Sequence, residues 1–366
     1  MNRKIIVAFM AVAFLMSSAV AAFSNDQDAG VIAGAVYTMT NAADGNQLVV
    51  FARGGDGLLT MAGAIPTEGL GSGGGLDPLA SQGAIVLTED HRWLLAVNAG
   101  SNEISVFRIM WDGPVLVGKV DSGGEFPVSL TVFHDLVYVL NAGGTANITG
   151  FYLGYQGQLT LRSNSTRDLG SGGFAQVGFD PQGNNLVVTD RDENEILVFP
   201  LNRHGLPAIH PVTSMSIGLA PFGFVFDEKG HLLVSEAGSG AVSSYAINRN
   251  GSLQVISPSI ANGQAATCWI ARNQRGYVFT ANTGSQNLSL YEEERNNGRL
   301  DLLDATAGFG NRPIDMDVSV NGRFLYALDP ASETIDMFKI ESDGSLTDLG
   351  TVAGGLSIFA QGLAVR

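Results

Sequence analysis

Seven polar residues recur at one position of a repeating pattern: Asn41, Asn98, Asn141, Asp190, Glu236, Asn282 and Asp329. Each closes a short apolar run, such as Trp93 to Asn98, Leu232 to Glu236 or Phe324 to Asp329. If equivalent repeat positions lie at equal height and radius, these residues surround one end of a central channel, and three of them carry carboxylates. Asn and Asp at a strand end ordinarily close the turn by bonding their own backbone. Glu is a poor residue for that task, which makes Glu236 the leading candidate for an acid or base. Asp315 and Asp317 come next. Two residues apart on a strand, they share a face, and an acidic pair on a channel wall suits a cation or a sugar hydroxyl.

Other catalytic chemistry is thinly represented. No Gly-x-Ser-x-Gly elbow is present. Of the five histidines, most fall in turns, and His204 with His210 lacks a third metal ligand nearby. Cys268, the one cysteine, sits in an apolar run and reads as a small buried residue. Asp190 to Asn194 starts like a calcium loop but lacks the glycine and the distal Glu. The run Gly69 to Gly75 has the spacing of a dinucleotide fingerprint, yet Asp77-Pro78 and a strand follow it instead of the helix a pyrophosphate needs. It reads as a flexible inter-blade loop with room to cover one mouth of the channel.

The elements that must position these residues are strands. After each polar closer come a turn and a further strand carrying an aromatic (Phe51, Phe107, Phe151, Phe199, Tyr245, Tyr291, Phe338). A Gly turn and a fourth strand follow, as at Gly251-Ser252 and Gly344-Ser345. Successive closers are 43 to 49 residues apart, apart from a longer first interval, which is the period of a four-stranded propeller blade. One such sheet cannot bury both faces alone, so the copies pack radially around an axis. The expected fold is all-β: a seven-bladed β-propeller of four-stranded blades. The first copy lacks its innermost strand and the chain ends on Gln361 to Arg366, so the C-terminal strand is expected to pair into the N-terminal blade and close the ring.

Residues 1–22 join a basic start (Arg3, Lys4) to an apolar stretch and the small residues Ser17 to Ala21, the pattern of a cleaved secretory signal. Residues 23–366 are then expected to form one propeller domain, secreted or periplasmic, with no membrane attachment after cleavage. With 35 acidic against 20 basic residues and a net charge of −15, the chain has no electrostatic footprint for nucleic acid.

Runs such as Asn321-Gly322-Arg323-Phe324-Leu325-Tyr326-Ala327-Leu328-Asp329 and Thr334-Ile335-Asp336-Met337-Phe338 resemble the seven-bladed propeller lactonase family, which includes 6-phosphogluconolactonases and carboxymuconate-lactonising enzymes. The resemblance spans the chain beyond the leader, but the family's chemistry carries over poorly. Its two fourth-blade histidines fall on Gly173 and Ala175. Its Pro-Arg-His becomes Pro221-Phe222-Gly223, and its Glu-Ile-Arg becomes Trp269-Ile270-Ala271 with Arg272 one place off. Its Glu survives as Glu236. Lactone hydrolysis needs an activated water or proton donor, and cationic groups for the developing oxyanion. The resemblance therefore implies a lactonase-like propeller that has lost its usual catalytic set. A small sugar- or lactone-type ligand in the channel would meet Phe222, Trp269, Arg272, Asp190, Asp315, Asp317 and Asp329. A divergent lactonase with Glu236 as acid or base, and a protein-interaction scaffold, are the alternatives. No cofactor is expected, a divalent cation in the channel aside.

Overall fold

Residues 32–366 are described by the computed structural model; the leader assigned to residues 1–22 lies outside them. Seven antiparallel sheets follow one another around a ring, each four strands deep. The fourth sheet is representative: Phe174–Phe179 lies innermost, followed outward by Asn185–Asp190, Glu195–Pro200 and Val212–Met215. In the third blade the outermost layer is split into Leu159–Leu161 and Arg167–Gly170, both paired to Ala146–Leu153.

The ring closes as the repeat pattern requires. Gln361–Val365 supplies the innermost strand of the first blade and pairs antiparallel with Ile32–Met39, with Val36 opposite Val365 and Tyr37 opposite Ala364. A sheet edge at each end of the chain is thereby covered.

Burial follows radius. Second strands such as Trp93–Asn98 and Phe324–Asp329 are buried at every position, because neighbouring blades cover both faces. Outer strands such as Leu346–Ala353 are largely open to solvent. The recurring aromatics fill the space between blades: Phe51, Phe107, Phe151, Phe199, Tyr245, Tyr291 and Phe338 are all buried. That packing, with no disulfide, holds the ring; Cys268 is a free, buried thiol.

The long first interval does not form an idle loop. The strand that follows Asp77-Pro78 is only Ile85–Leu87, because Leu79 to Gly83 cross the channel instead. Leu79, Ser81 and Gln82 are buried, and their bonds reach several blades. Ser81 Oγ donates to Val128 O (2.8 Å), Gln82 N to Ala175 O (3.1 Å) and Leu130 N to Gly83 O (2.8 Å). The glycine run upstream is required by close approach: a Cβ on Gly69 would strike the Asn98 side chain, and one on Gly71 the Asn41 backbone.

Candidate functional site: a plugged channel and its lower chamber

Two ends of the channel must be distinguished. At the upper end inner strands begin and second strands finish, so the seven polar closers gather there. At the lower end inner strands turn back into second strands.

All seven closers are buried, and most of their polar atoms are spent on neighbouring segments, Asn141 Oδ1 being left without a partner. Asp190 Oδ1 accepts from Gly173 N (2.9 Å) and Asp192 N (3.0 Å). Asp329 Oδ2 accepts from Asn311 N (2.5 Å) and Arg312 N (3.0 Å). Asn98 Oδ1 accepts from Asn46 Nδ2 (3.0 Å) and Thr67 Oγ1 (2.7 Å), and Asn282 Oδ1 from Thr267 Oγ1 (2.7 Å). Asp190 and Asp329 thus pin inter-blade linkers rather than face a ligand. The calcium-like run is an Asx turn built on the first of these carboxylates.

Glu236, expected as an acid or base, has 0 % of its surface exposed. Oε1 accepts from Gly218 N (2.8 Å) and Ser243 Oγ (2.5 Å), and Oε2 from Ser259 Oγ (2.6 Å). A Cβ at Gly218 would collide with this carboxylate. Enclosed and saturated with donors, Glu236 has no path to a substrate; the geometry corrects its expected role to a structural one.

Phe222 and Trp269, expected as an aromatic channel mouth, are 3 % and 1 % exposed. Their rings meet edge to face with centroids 5.1 Å apart, and the crossing segment covers them. Trp269 Nε1 donates to Ser81 O (3.0 Å). Gln82 forms a paired bridge to blade 6: Nε2 donates to Ile270 O (2.9 Å) and Ile270 N donates to Oε1 (3.1 Å). Gly223 leaves room for that side chain, since a Cβ there would collide with Gln82 Oε1. Of the positions onto which the family resemblance maps its chemistry, Ala175, Gly223 and Trp269 grip or accommodate the plug and Phe222 packs on Trp269, whereas Gly173 bonds Asp190 and Ala271 lines the chamber below. Beside it, burial raises the Cys268 thiol to about 12, with the nearby Asp77 carboxylate adding to the shift. That thiol is inert as a nucleophile at neutral pH.

Below the plug the channel keeps a cavity of 460 Å³, lined by inner-strand residues of all seven blades. Asp315 and Asp317 both lie on its wall, as the sequence predicts. The strand is not regular: the register shifts between Ile314 and Met316, and Asp315 has a φ of 48°. Asp317 Oδ2 accepts from Val365 N (2.8 Å), tying the last blade to the closing strand. Burial raises Asp317 to about 7, and raises Asp315 well above its ordinary range, with Asp317 as the next cause. In the plug, burial likewise lifts Asp77 to about 7. Near neutral pH these carboxyls can donate as well as accept hydrogen bonds.

Arg272 also lines the cavity, but its guanidinium is committed. It bonds Glu228 through Nη1 (3.0 Å) and Nη2 (3.0 Å), and Glu293 through Nη2 (2.7 Å) and Nε (3.0 Å). With Glu89 and His91 at the rim, the chamber carries more acid than base. Sequence reasoning missed Gln82 as the bridge across the channel and Asp77 as the partner of Gln361 beside it. The one available signal was the overlong first interval, which located an insertion without saying where it would fold.

A family model for the lactonase seven-bladed β-propeller matches residues 176–356. No curated protein matches the chain in sequence. Among solved structures, a Lactobacillus plantarum protein superposes with a TM-score of 0.72 at 15% identity, over 91% of this chain and 99% of its own. A Bacteroides fragilis protein, provisionally assigned as a 6-phosphogluconolactonase, gives 0.69 at 16% identity, over 94% and 99%. The periplasmic gluconolactonase of Pseudomonas aeruginosa gives 0.68 at 17% identity, over 91% and 98%. Likeness at such identities is one of fold, and it bears out the seven-bladed propeller architecture read from the repeats.

Proposed function

The chain is a lactonase-type seven-bladed propeller, and on that premise we propose that it is an exported binding protein for a small neutral or cationic ligand of the sugar or lactone type. The ligand enters the lower chamber and meets Asp315 and Asp317. The observation that carries this reading is the plug: Ser81 and Gln82 occupy the mouth on which a lactonase of this family would do its chemistry.

Charge argues for the ligand class. A phosphorylated sugar needs free cationic groups, whereas Arg272 is already held by Glu228 and Glu293. A polyol can pair with carboxyls that switch between donor and acceptor, and 460 Å³ falls in the range of small-molecule sites. The leader pattern of residues 1–22 supports export.

The test is a panel of neutral, amino and phosphorylated sugars and lactones, followed by thermal shift and by hydrolysis. The expected outcome is a neutral or amino compound that raises the melting temperature, loses that effect in Asp317→Asn, and is not turned over. Lactone turnover would return the divergent-lactonase reading, and preferential binding of a phosphorylated compound would overturn the charge argument. A panel without any hit would point to the scaffold alternative.

A further inference from the structure

A second cluster of chemistry lies outside the channel, where blade 5 meets blade 6. Asp227 ends the inner strand of blade 5 and fixes its hairpin, Oδ1 accepting from Lys229 N (2.9 Å) and His231 N (2.7 Å). That leaves Oδ2 against His231 Nδ1 at 2.6 Å. From blade 6, Glu293 on Asn287–Glu294 turns into the same place. One donor atom from each of the three lies within 4.8 Å of the others.

Glu293 is 2 % exposed. Its Oε2 takes Arg272, but Oε1 is buried without a partner. An orphaned carboxylate oxygen is costly unless something supplies it with positive charge. The charges around it do not cancel, since Glu228 and Glu293 share a single guanidinium, that of Arg272, while Asp227 faces the His231 imidazole.

We propose that Asp227 Oδ2, His231 Nδ1 and Glu293 Oε1 form a site for one divalent first-row transition ion of the zinc or manganese class, clasping blade 5 to blade 6. An imidazole with two carboxylates suits these ions better than calcium or magnesium, which favour oxygen alone. Three protein donors leave outer positions to water. A surface pocket of 510 Å³, lined by Glu228, Lys229, Arg275 and Glu293 among others, gives the ion a way in. Donors about 2.1 Å from an ion stand about 3.0 Å apart at right angles and about 3.4 Å apart at the tetrahedral angle, so the 2.6 Å Asp227–His231 contact opens by roughly 0.4–0.8 Å on loading. The imidazole is otherwise held, for a Cβ at Gly298 would press on its Cγ at 2.7 Å.

The competing occupant is a proton shared between Asp227 and Glu293, and one experiment separates the two. The untagged protein is stripped with EDTA, dialysed and titrated with Zn²⁺ or Mn²⁺. Bound metal is counted by elemental analysis, and free Mn²⁺ by its EPR signal. The expected result is one equivalent bound, a higher melting temperature in its presence, and affinity lower by about tenfold or more in Glu293→Gln, which still accepts from Arg272. The half-buried His231 provides a second variant, His231→Ala, should Glu293→Gln fold poorly. Absence of binding, or binding undiminished in the folded variants, would overturn the proposal in favour of the shared proton.

Discussion

Asp336, on the third strand of the last blade, offers a quantitative test of how this fold handles buried acid. It is 5 % exposed, and its Oδ2 has no hydrogen-bond partner. Burial raises its pKa from the ordinary 3.8 to about 7, with Asp329 and Asp348 adding repulsion. Between those values the folded state keeps a proton that the unfolded chain has released. Stability therefore falls as pH rises from about 4 to about 7 and is flat beyond. Three units at 1.36 kcal/mol each put the ionisation cost at about 4 kcal/mol above pH 7, as an upper bound. Asp336→Asn removes it. The new amide is neutral and so ends the repulsion from Asp329 and Asp348. The variant should match the wild type near pH 4 and gain stability progressively to pH 8. At about 2 °C per kcal/mol for a chain of this size, the gain approaches roughly 8 °C. Differential scanning calorimetry across that pH range is the assay. A variant no more stable than the wild type at pH 8 would refute the reasoning, because the native Asp336 would then have to be neutral or compensated there.

Two further outcomes follow from the upper end of the channel. Glu236→Gln replaces one well-bonded carboxylate oxygen by an NH₂ facing donors such as Gly218 N or Ser259 Oγ; urea denaturation should show a loss of about 1–3 kcal/mol, while binding in the lower chamber is unchanged. Trp269→Ala removes a fully buried indole together with its bond to Ser81 O, at a cost of about 3–5 kcal/mol. It should also make native Cys268 react with a thiol reagent, and an unreactive thiol with an unchanged melting temperature would mean that the plug is held without the indole.

The architecture was legible because it is written locally. Asn321-Gly322 and Gly344-Ser345 mark hairpins, and apolar runs such as Phe324 to Leu328 mark strands covered on both faces, independently of anything distant. The missing innermost strand of the first copy even located the closure at Gln361–Val365, which the observed pairing bears out. Among the closers, Asp190 and Asp329 accept from their own turns, at Asp192 N and Ser332 N, whereas Asn41, Asn98 and Asn282 bond other segments instead. Glu236 misled because length was read as a sign of function, when its carboxylate is held by the Gly218 linker and by Ser243 and Ser259.

Repeat spacing and composition thus determined the number of blades, the strand order, the ring closure and the acidic character of the surface. They also put Asp315 and Asp317 on an innermost strand and so on the channel wall, although the strand is bulged at Asp315 and Met316 between them lines the same cavity. Only the tertiary structure decided that Gln82 bridges to Ile270, 188 residues away, that Phe222 and Trp269 lie beneath a plug, and that Asp227 and His231 meet Glu293. These contacts run between blades or across the axis. Their partners are set by how whole sheets pack, and no local pattern of hydrophobicity or turn chemistry encodes which charges that packing brings together.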